Sequence, residues 1–564
     1  VTATGPDSRP SWFESQPDRL KWELEQFAAL GLPAAERVGR GDGQHPDSLV
    51  IETALPFQGS SVMVEVVFPY EYPDEGPQPY TAAGLLDRHQ HPHTGLLCWA
   101  EDPDRDWWPG GSAAMLVDQV IRRLFEDTEA GPGAVAAGEA DLPEPVSAYV
   151  ALPDNGVVVV PDPFLELELP TTAGKMTVAG DGEHLMLTNA EGLGEADPTL
   201  VRRFLHRVQN EPEGFWVNLD PTPTPSVFNS RELFDFIQSA APDAFGHLAR
   251  RLQKKPRQTV ARCWLGMTFL EEGPVRGEQR RNWVFAPISL DAQGQMTIAL
   301  KRPAQALTLT ERNRRTPELI GLGTVRALII GAGSLGSPVA VELAKAGVGE
   351  LDLVDSDIFD VNNSVRHALG PGASGRHKAT VLAAQLESIN PFINATAHVF
   401  SVGSNAEAAR QLEQLIDASS VVVDTSGSAA VARILQRYAV RASKPVVVGG
   451  LSAGSYGGDL FISASGGACL NCFLTAQREG SIPEPQAAPP SALVTPVGCS
   501  HPAFAGAGFD ATQLAATIAR AVVQTAVAST YPPAGFNWAV LNFRSAPRWR
   551  SGTLEVRDDC SGHQ

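Results

Sequence analysis

Cysteine is scarce in this chain. Six thiols in 564 residues, at positions 98, 263, 469, 472, 499 and 560, cannot build a disulfide framework and suit a reducing compartment. Positive charge is in deficit as well. Lys and Arg number 44 against 64 Asp and Glu, a formal net charge of −20, which argues against a surface built to neutralise nucleic-acid phosphates. Long apolar runs are missing, none approaching the ~18 residues that a membrane-spanning helix requires. The opening residues, VTATGPDSRPSWF, lack the basic-then-apolar order of a secretory signal. The expectation is a cytoplasmic protein that binds neither nucleic acid nor membrane. No internal repeat is visible, and the 52 glycines and 44 prolines are spread along the chain as turn residues.

What remains is an ordinary globular composition, 43% hydrophobic and 19% charged, in a chain long enough for about three domains. Residues 11–30 carry Trp12, Phe13, Leu20, Leu24, Phe27 and Leu30 close to helical spacing, which predicts an amphipathic helix. Strand-like runs follow at 48–55 and 61–68, then a Pro-rich loop, the string HQHPHTGLLCW, and a helical stretch at 115–127. Residues 129–149 are rich in Gly, Ala, Pro and acid and read as a linker. Strand and helix signals mix between 150 and 305 without a catalytic motif. From about 306 onward, apolar strands (RALIIGAG, LDLVDSD, SSVVVDTS, KPVVVGG) alternate with helices predicted at 335–346, 377–388 and 429–439. That alternation marks a mostly parallel sheet with helices on both faces. The expected fold class is α/β. An α+β domain spans 1–135, a linker 136–149, an α+β middle domain 150–305 and a Rossmann-like domain 306–564.

The strand at 326–330 runs into Gly331-Ala332-Gly333-Ser334-Leu335-Gly336 and then a helix. Glycines permit a tight turn and close backbone approach, and the helix N-terminus offers free N–H groups to phosphate. Asp355, 22 residues past Gly333, stands where an acid binds a ribose hydroxyl. These features alone would fit a dehydrogenase, but no hydride-transfer residues accompany them. The continuation discriminates. Asp355-x-Asp357, Asn363-Ser-Val-Arg366 and Gly375-Arg-His-Lys378 set a cationic pair where a triphosphate would be clamped and charge developing at its α-phosphate offset.

Together with Ala346-Gly347-Val348-Gly349 and Asn390-Pro391, this pattern resembles the ThiF/MoeB and ubiquitin-activating (E1) adenylation family from about residue 312 to the end. The resemblance implies ATP and Mg2+ as ligands. It places Gly331, Gly333, Gly336, Asp355, Asp357, Asn363, Arg366, Lys378 and Asp424 at the nucleotide. Arg312-x-x-Arg315 is similar to an RxxR that, in family homodimers, reaches across to the partner's ATP. That likeness implies a homodimer and puts Arg315 at the site, although the spacing from Arg315 to Gly331 is shorter than the family's. A second departure is Asp424-Thr-Ser-Gly427, where the family commonly has DxxD. Asp424 or Asp357 is then left to hold magnesium.

Cys499 lies in PVGCSHPAFAGAGFD, before a helix predicted at 511–526. Thioester-forming relatives of this family carry their acceptor cysteine in such a loop, and a thiolate attacks an acyl adenylate readily. His501 stands close enough in sequence to assist deprotonation. Cys469-Leu-Asn-Cys472 resembles the family's metal-binding CxxC. Its other half would be Cys560-Ser-Gly-His563, a set that suits structural zinc.

In the N-terminal module, Phe68-Pro69-x-x-Tyr72-Pro73, His91-Pro92-His93-Thr-Gly95-x-x-Cys98 and Trp108-Pro109 resemble ubiquitin-conjugating (E2) enzymes, with His93 in place of the Asn of HPN. Cys98 is the thioester candidate. Both resemblances in one chain are most like the fusion associated with CBASS anti-phage operons. They imply activation of an exposed protein C-terminus, that of a CD-NTase or a ubiquitin-like protein. The acyl group would pass as a thioester on Cys499 to Cys98 and be conjugated to a lysine-bearing target. A catalytically silent nucleotide-binding scaffold is the alternative.

Overall fold

The computed structural model describes residues 11–100, 102–130, 144–150, 156–205, 207–210, 213–228, 232–253, 263–275, 277–290, 296–298, 301–489, 506–544 and 548–560. The chain divides into two compact units, residues 1–197 with 207–307, and residues 198–206 with 308–564. Among the described residues no helix is long and apolar enough to cross a membrane.

The first unit opens with two helices, Trp12–Ser15 and Pro17–Ala29, where one continuous helix was expected. Pro17 has no N–H to donate and takes a first-turn position, so the chain restarts there. A four-stranded antiparallel sheet follows in chain order, Ala35–Val38, Leu49–Phe57, Ser60–Phe68 and Gln78–Tyr80. Its central hairpin turns on Gln58 and Gly59, both at positive φ, the geometry that matches the twist of paired strands. The inward residues pack with Phe27, Tyr72 and Phe125 into one core. The helical stretch spans Ala113–Ala130, widened to a π turn over Leu116–Ile121. Its start is held by Glu23, a fully buried carboxylate that accepts the Ala113 N–H at 3.0 Å and bonds Ser112, Arg19 and Tyr72. Negative charge is favoured at a helix N-terminus, and here it is also paired.

The rest of this unit is a ten-stranded mixed sheet. Pairing of Ala173–Gly180 with Leu185–Ala190 closes seven of its strands into a ring. Trp216 and Trp283, both fully buried, meet at 5.8 Å. The Ala, Gly and Pro tract read as a linker ends in a short 3-10 turn, Val146–Tyr149. That turn is not free chain, because Val146 and Val150 are buried in the core formed by Leu265, Met267 and Val284.

The second unit is the doubly wound sheet that the sequence predicts. Strand order is Asn394–His398, Glu350–Val354, Arg326–Ile330, Val421–Asp424, Val446–Leu451, Gly457–Ser463, Trp538–Asn542 and Arg548–Gly552. The first five are parallel and the last three antiparallel. Helices Gly336–Ala346, Lys378–Ile389 and Gly508–Ala526 cover one face, and Ala406–Ala418 and Ala429–Arg441 the other. Covering both faces explains why these strands read as unbroken runs of Val, Ile and Leu. The order reverses between Arg326–Ile330 and Val421–Asp424, so a crevice opens at their carboxyl ends, the usual ligand position in such sheets.

Candidate functional site

The crevice is built by two turns. Gly331 follows its strand at φ +89, and a Cβ there would sit 2.8 Å from Ser426 Cα; a Cβ on Gly336 would sit 1.8 Å from the Gly331 carbonyl. The Thr425 hydroxyl stands 2.8 Å from that same carbonyl and 3.1 Å from Ile330 O, locking the two turns together. Gly333 differs, because a Cβ there would meet nothing within 4 Å. It faces a cavity of about 330 Å3 whose walls include Asn363, Arg366, Lys378, Ser426 and Gly450. The fit to a nucleotide phosphate is therefore direct, with an open glycine at a helix start facing two cations.

Asp355 accepts the N–H groups of Ala332 at 2.8 Å and Asp357 at 2.7 Å. Burial nevertheless raises its pKa against the pull of those two bonds. It braces the glycine turn, and a carboxylate has further lone pairs for a ribose hydroxyl. Lys378 opens its helix and pairs with Asp357 at 2.8 Å. Arg366 is partly buried, which lowers its pKa. Asn363 uses its carbonyl oxygen to accept the Asp360 N–H at 3.2 Å, shaping the turn that presents Arg366.

Asp424 is 2% exposed and accepts the Ser426 N–H at 3.0 Å, and burial pushes its pKa up to about 6. The folded chain thus keeps a proton on Asp424 between about pH 4 and 6 that the unfolded chain has released, so stability falls as pH rises through that window. Ionised at neutral pH, the group costs up to about 3 kcal/mol. Asp424→Asn is expected to melt above wild type at pH 7.5, with the difference shrinking toward pH 4. A variant melting below wild type at both pH values in a thermal denaturation scan overturns burial as the cause.

Sequence reasoning missed His367. Its Nε2 lies 2.7 Å from the Ala332 carbonyl while Nδ1 accepts the Leu369 N–H at 3.0 Å, so the network assigns the proton to Nε2. Burial pushes its pKa down to about 4, and the ring clamps the glycine loop as a neutral donor. Its place immediately after Arg366 was the available signal. Of the RxxR pair, Arg312 donates to Ala344 O and Lys345 O, at 3.4 and 2.9 Å, capping the helix after the glycine loop. Arg315 is exposed.

Cys469, Cys472 and Cys560 are buried and come together within 4.8 Å of one another, with sulfur separations of 3.8 and 3.5 Å from Cys469. Tetrahedral zinc with Zn–S bonds near 2.3 Å needs sulfurs about 3.8 Å apart, so the three thiols fit that ion. The fourth candidate, His563, lies outside the described residues, as do Cys499 and His501. Freshly purified, tag-free protein is expected to carry about one zinc per chain by elemental analysis. Chelation should lower the melting temperature, since metal binding and folding are linked. Protein without bound metal overturns the assignment.

Cys98 is exposed on the loop of the first unit, and its N–H donates to His89 O at 2.8 Å. Although the residue reaches solvent, its sulfur is partly shielded, and that partial burial together with the charge of Glu144 raises its pKa. The side chains of Phe68 and Tyr72 are buried beneath the sheet, whereas Trp108 is 72% exposed. Burial lowers the pKa of His93, with His91 and Lys301 adding to the effect.

Residues 314–530 match the model of the ThiF family. An uncharacterized protein y4oA of Sinorhizobium fredii is 24% identical over 98% of this chain and 97% of its own length. The ATP-dependent ubiquitin transferase-like protein Cap2 of Enterobacter hormaechei is 24% identical over 46% of this chain and 38% of its own. The probable adenylyltransferase/sulfurtransferase MoeZ of Mycobacterium tuberculosis is 33% identical over 27% of this chain and 40% of its own. Among solved structures, E. coli MccB aligns with 44% of this chain and 73% of its own at 17% identity, with a TM-score of 0.35.

Proposed function

We propose that this chain is an E1-like enzyme that uses ATP to activate the C-terminal carboxylate of a protein or peptide, and that it also conjugates the activated group. The observation that carries the reading is the crevice at the sheet's switch point, where the open Gly333 faces Arg366 and Lys378. In the first step a carboxylate oxygen attacks the α-phosphorus of ATP and pyrophosphate leaves. Arg366 and Lys378 offset the charge that builds on the phosphate oxygens. Magnesium would be held by Asp424 or Asp357 and would supply further neutralisation of the polyphosphate. The acyl group then passes to Cys499 with loss of AMP, moves by thioester exchange to Cys98 and ends on an amine. Similarity to the ubiquitin transferase-like protein Cap2 and to the probable adenylyltransferase/sulfurtransferase MoeZ supports this class of chemistry. A homodimer, a CD-NTase or ubiquitin-like substrate and a role in anti-phage defence belong to the same proposal, carried by the sequence resemblance.

Pyrophosphate exchange tests the reading. Exchange is expected with a CD-NTase or ubiquitin-like protein that bears a free C-terminus, and none with the same protein amidated there. The lone Asp424 of Asp424-Thr-Ser-Gly427 favours the competing reading of a silent scaffold, and absence of exchange with every such protein would select it.

A further inference from the structure

Glu144 lies within the stretch that reads as linker, yet three hydrogen bonds hold it in place near Cys98. Its N–H donates to Asp87 O at 3.0 Å. Its carboxylate accepts the His89 N–H at 2.9 Å and the Tyr149 hydroxyl at 3.1 Å. Since the Cys98 N–H donates to the His89 carbonyl, the carboxylate and the cysteine are tied to the two peptide groups of one residue. The Tyr149 ring packs edge-on against His91 at 4.7 Å and near His93 at 6.2 Å. Behind it, Ser147 donates its N–H to Glu271 at 3.1 Å and its hydroxyl accepts from Asn282 at 2.6 Å. Glu144 also lines a cavity of about 410 Å3 together with Gln90 and Pro92 of the cysteine loop.

Burial first, and then the nearby Glu144 carboxylate, oppose thiolate formation on Cys98 and raise its pKa. The carboxylate therefore does not help Cys98 to receive an acyl group. What it can serve is the opposite step, because an arriving nitrogen nucleophile has a proton to lose; once Glu144 has taken that proton it is neutral and no longer opposes the departing thiolate. The other charged and titratable groups at this corner are His91, His93, Tyr149, Asp87, Glu271, Lys301 beside His93, and Arg88 paired with Glu272 at 3.2 Å. Burial lowers the pKa of His93, and burial together with Glu144 raises that of Tyr149, so the His93 imidazolium and the Tyr149 phenolate are both disfavoured.

We propose that Glu144, positioned by Tyr149, accepts the proton of the amine that discharges an acyl group from Cys98. The proposal rests on the reading of Cys98 as a thioester cysteine. The amine lone pair forms a C–N bond at the thioester carbonyl carbon, and the C–S bond breaks. Its electron pair returns to Cys98 as thiolate, and the proton shed by nitrogen passes to Glu144. Glu144 is the catalytic residue of this step and Tyr149 a positioning residue.

The test charges the full chain, in a Cys499→Ala background, with a peptide thioester of 2-mercaptoethanesulfonate. Acyl transfer from Cys98 to free L-lysine is then followed by mass spectrometry between pH 6 and 9. The chain is expected to discharge faster than the same acyl group on a free cysteine peptide. Glu144→Gln keeps an acceptor for the His89 N–H yet is expected to slow discharge about 10²-fold at pH 7, with the gap narrowing toward pH 9 as hydroxide replaces the base. Tyr149→Phe should lose less, and Glu144→Asp should recover part. Glu144→Gln should also move the pH midpoint of Cys98 alkylation by iodoacetamide downward. Wild-type discharge rates in Glu144→Gln, or an unmoved alkylation midpoint, overturn the role of Glu144 and leave Cys98 as a conjugating residue. No acceleration by the unmodified chain over the free peptide overturns both.

Discussion

Lys378→Ala is expected to lower ATP–pyrophosphate exchange by about 10²–10³-fold while leaving the fold intact. The crevice belongs to a chain with a net charge of −20, and Lys378 and Arg366 are the cations in its wall. Charge that develops on the phosphate oxygens in the transition state must be met there, by groups already in place. The Lys378 side chain is only 13% exposed, while its partner Asp357 is 66% exposed. The pair is thus largely solvated on one side, and losing it costs folding no more than about 1 kcal/mol. A near-unchanged melting curve with exchange abolished is the expected combination. Lys378→Arg should recover part of the activity, because charge is kept while the geometry changes. Wild-type exchange in Lys378→Ala overturns the nucleotide assignment. A collapsed melting curve overturns the claim that the residue acts on the substrate alone.

The second large effect concerns the order of the thiols. An acyl adenylate made in the crevice is proposed to meet Cys499 of the same sequence domain first, with Cys98 of the other unit charged second. Cys98→Ala should then accumulate a thiol-sensitive adduct on Cys499. Cys499→Ala should form adenylate yet charge neither cysteine efficiently. Both adducts should vanish under reducing agent, since thioesters exchange with added thiol and amides do not. Non-reducing electrophoresis with peptide mapping reads all of this. Cys98 charged at the normal rate in Cys499→Ala would show direct transfer from the adenylate and remove Cys499 from the relay.

The division between what was legible and what was not follows the range of the interactions. The strands 326–330, 350–354, 421–424 and 446–451 were visible because burial on both faces leaves unbroken apolar runs. The helices after them matched to within a few residues. The edge strand Asn394–His398 was not, since its residues are at most half-buried and carry no such run. The glycine turn was legible because a close backbone approach admits no side chain. Asp355, Lys378 and Arg366 were legible because each lies at a set distance along the chain from that turn.

Contacts made across the fold left no such trace. His367 clamps a carbonyl 35 residues earlier, and Thr425 reaches back 94 residues to Gly331. Cys560 meets Cys469 across 91 residues; the sequence offered the pair as candidates, but only the sheet's antiparallel end brings the thiols within reach. Glu144 is the sharpest case. By composition its surroundings are linker, because Gly, Ala and Pro carry no periodic apolar face. Residues 144–150 are placed by what they dock against, Val146 into one core and Glu144 onto the peptide groups of the cysteine loop. The sequence by itself determined the doubly wound sheet and the tight glycine turn at its switch point, since each depends on local pattern. Which side chains brace that turn, which thiols share a site and which carboxylate stands beside Cys98 were decided by tertiary packing, because those partners are distant along the chain and meet only when the core has closed.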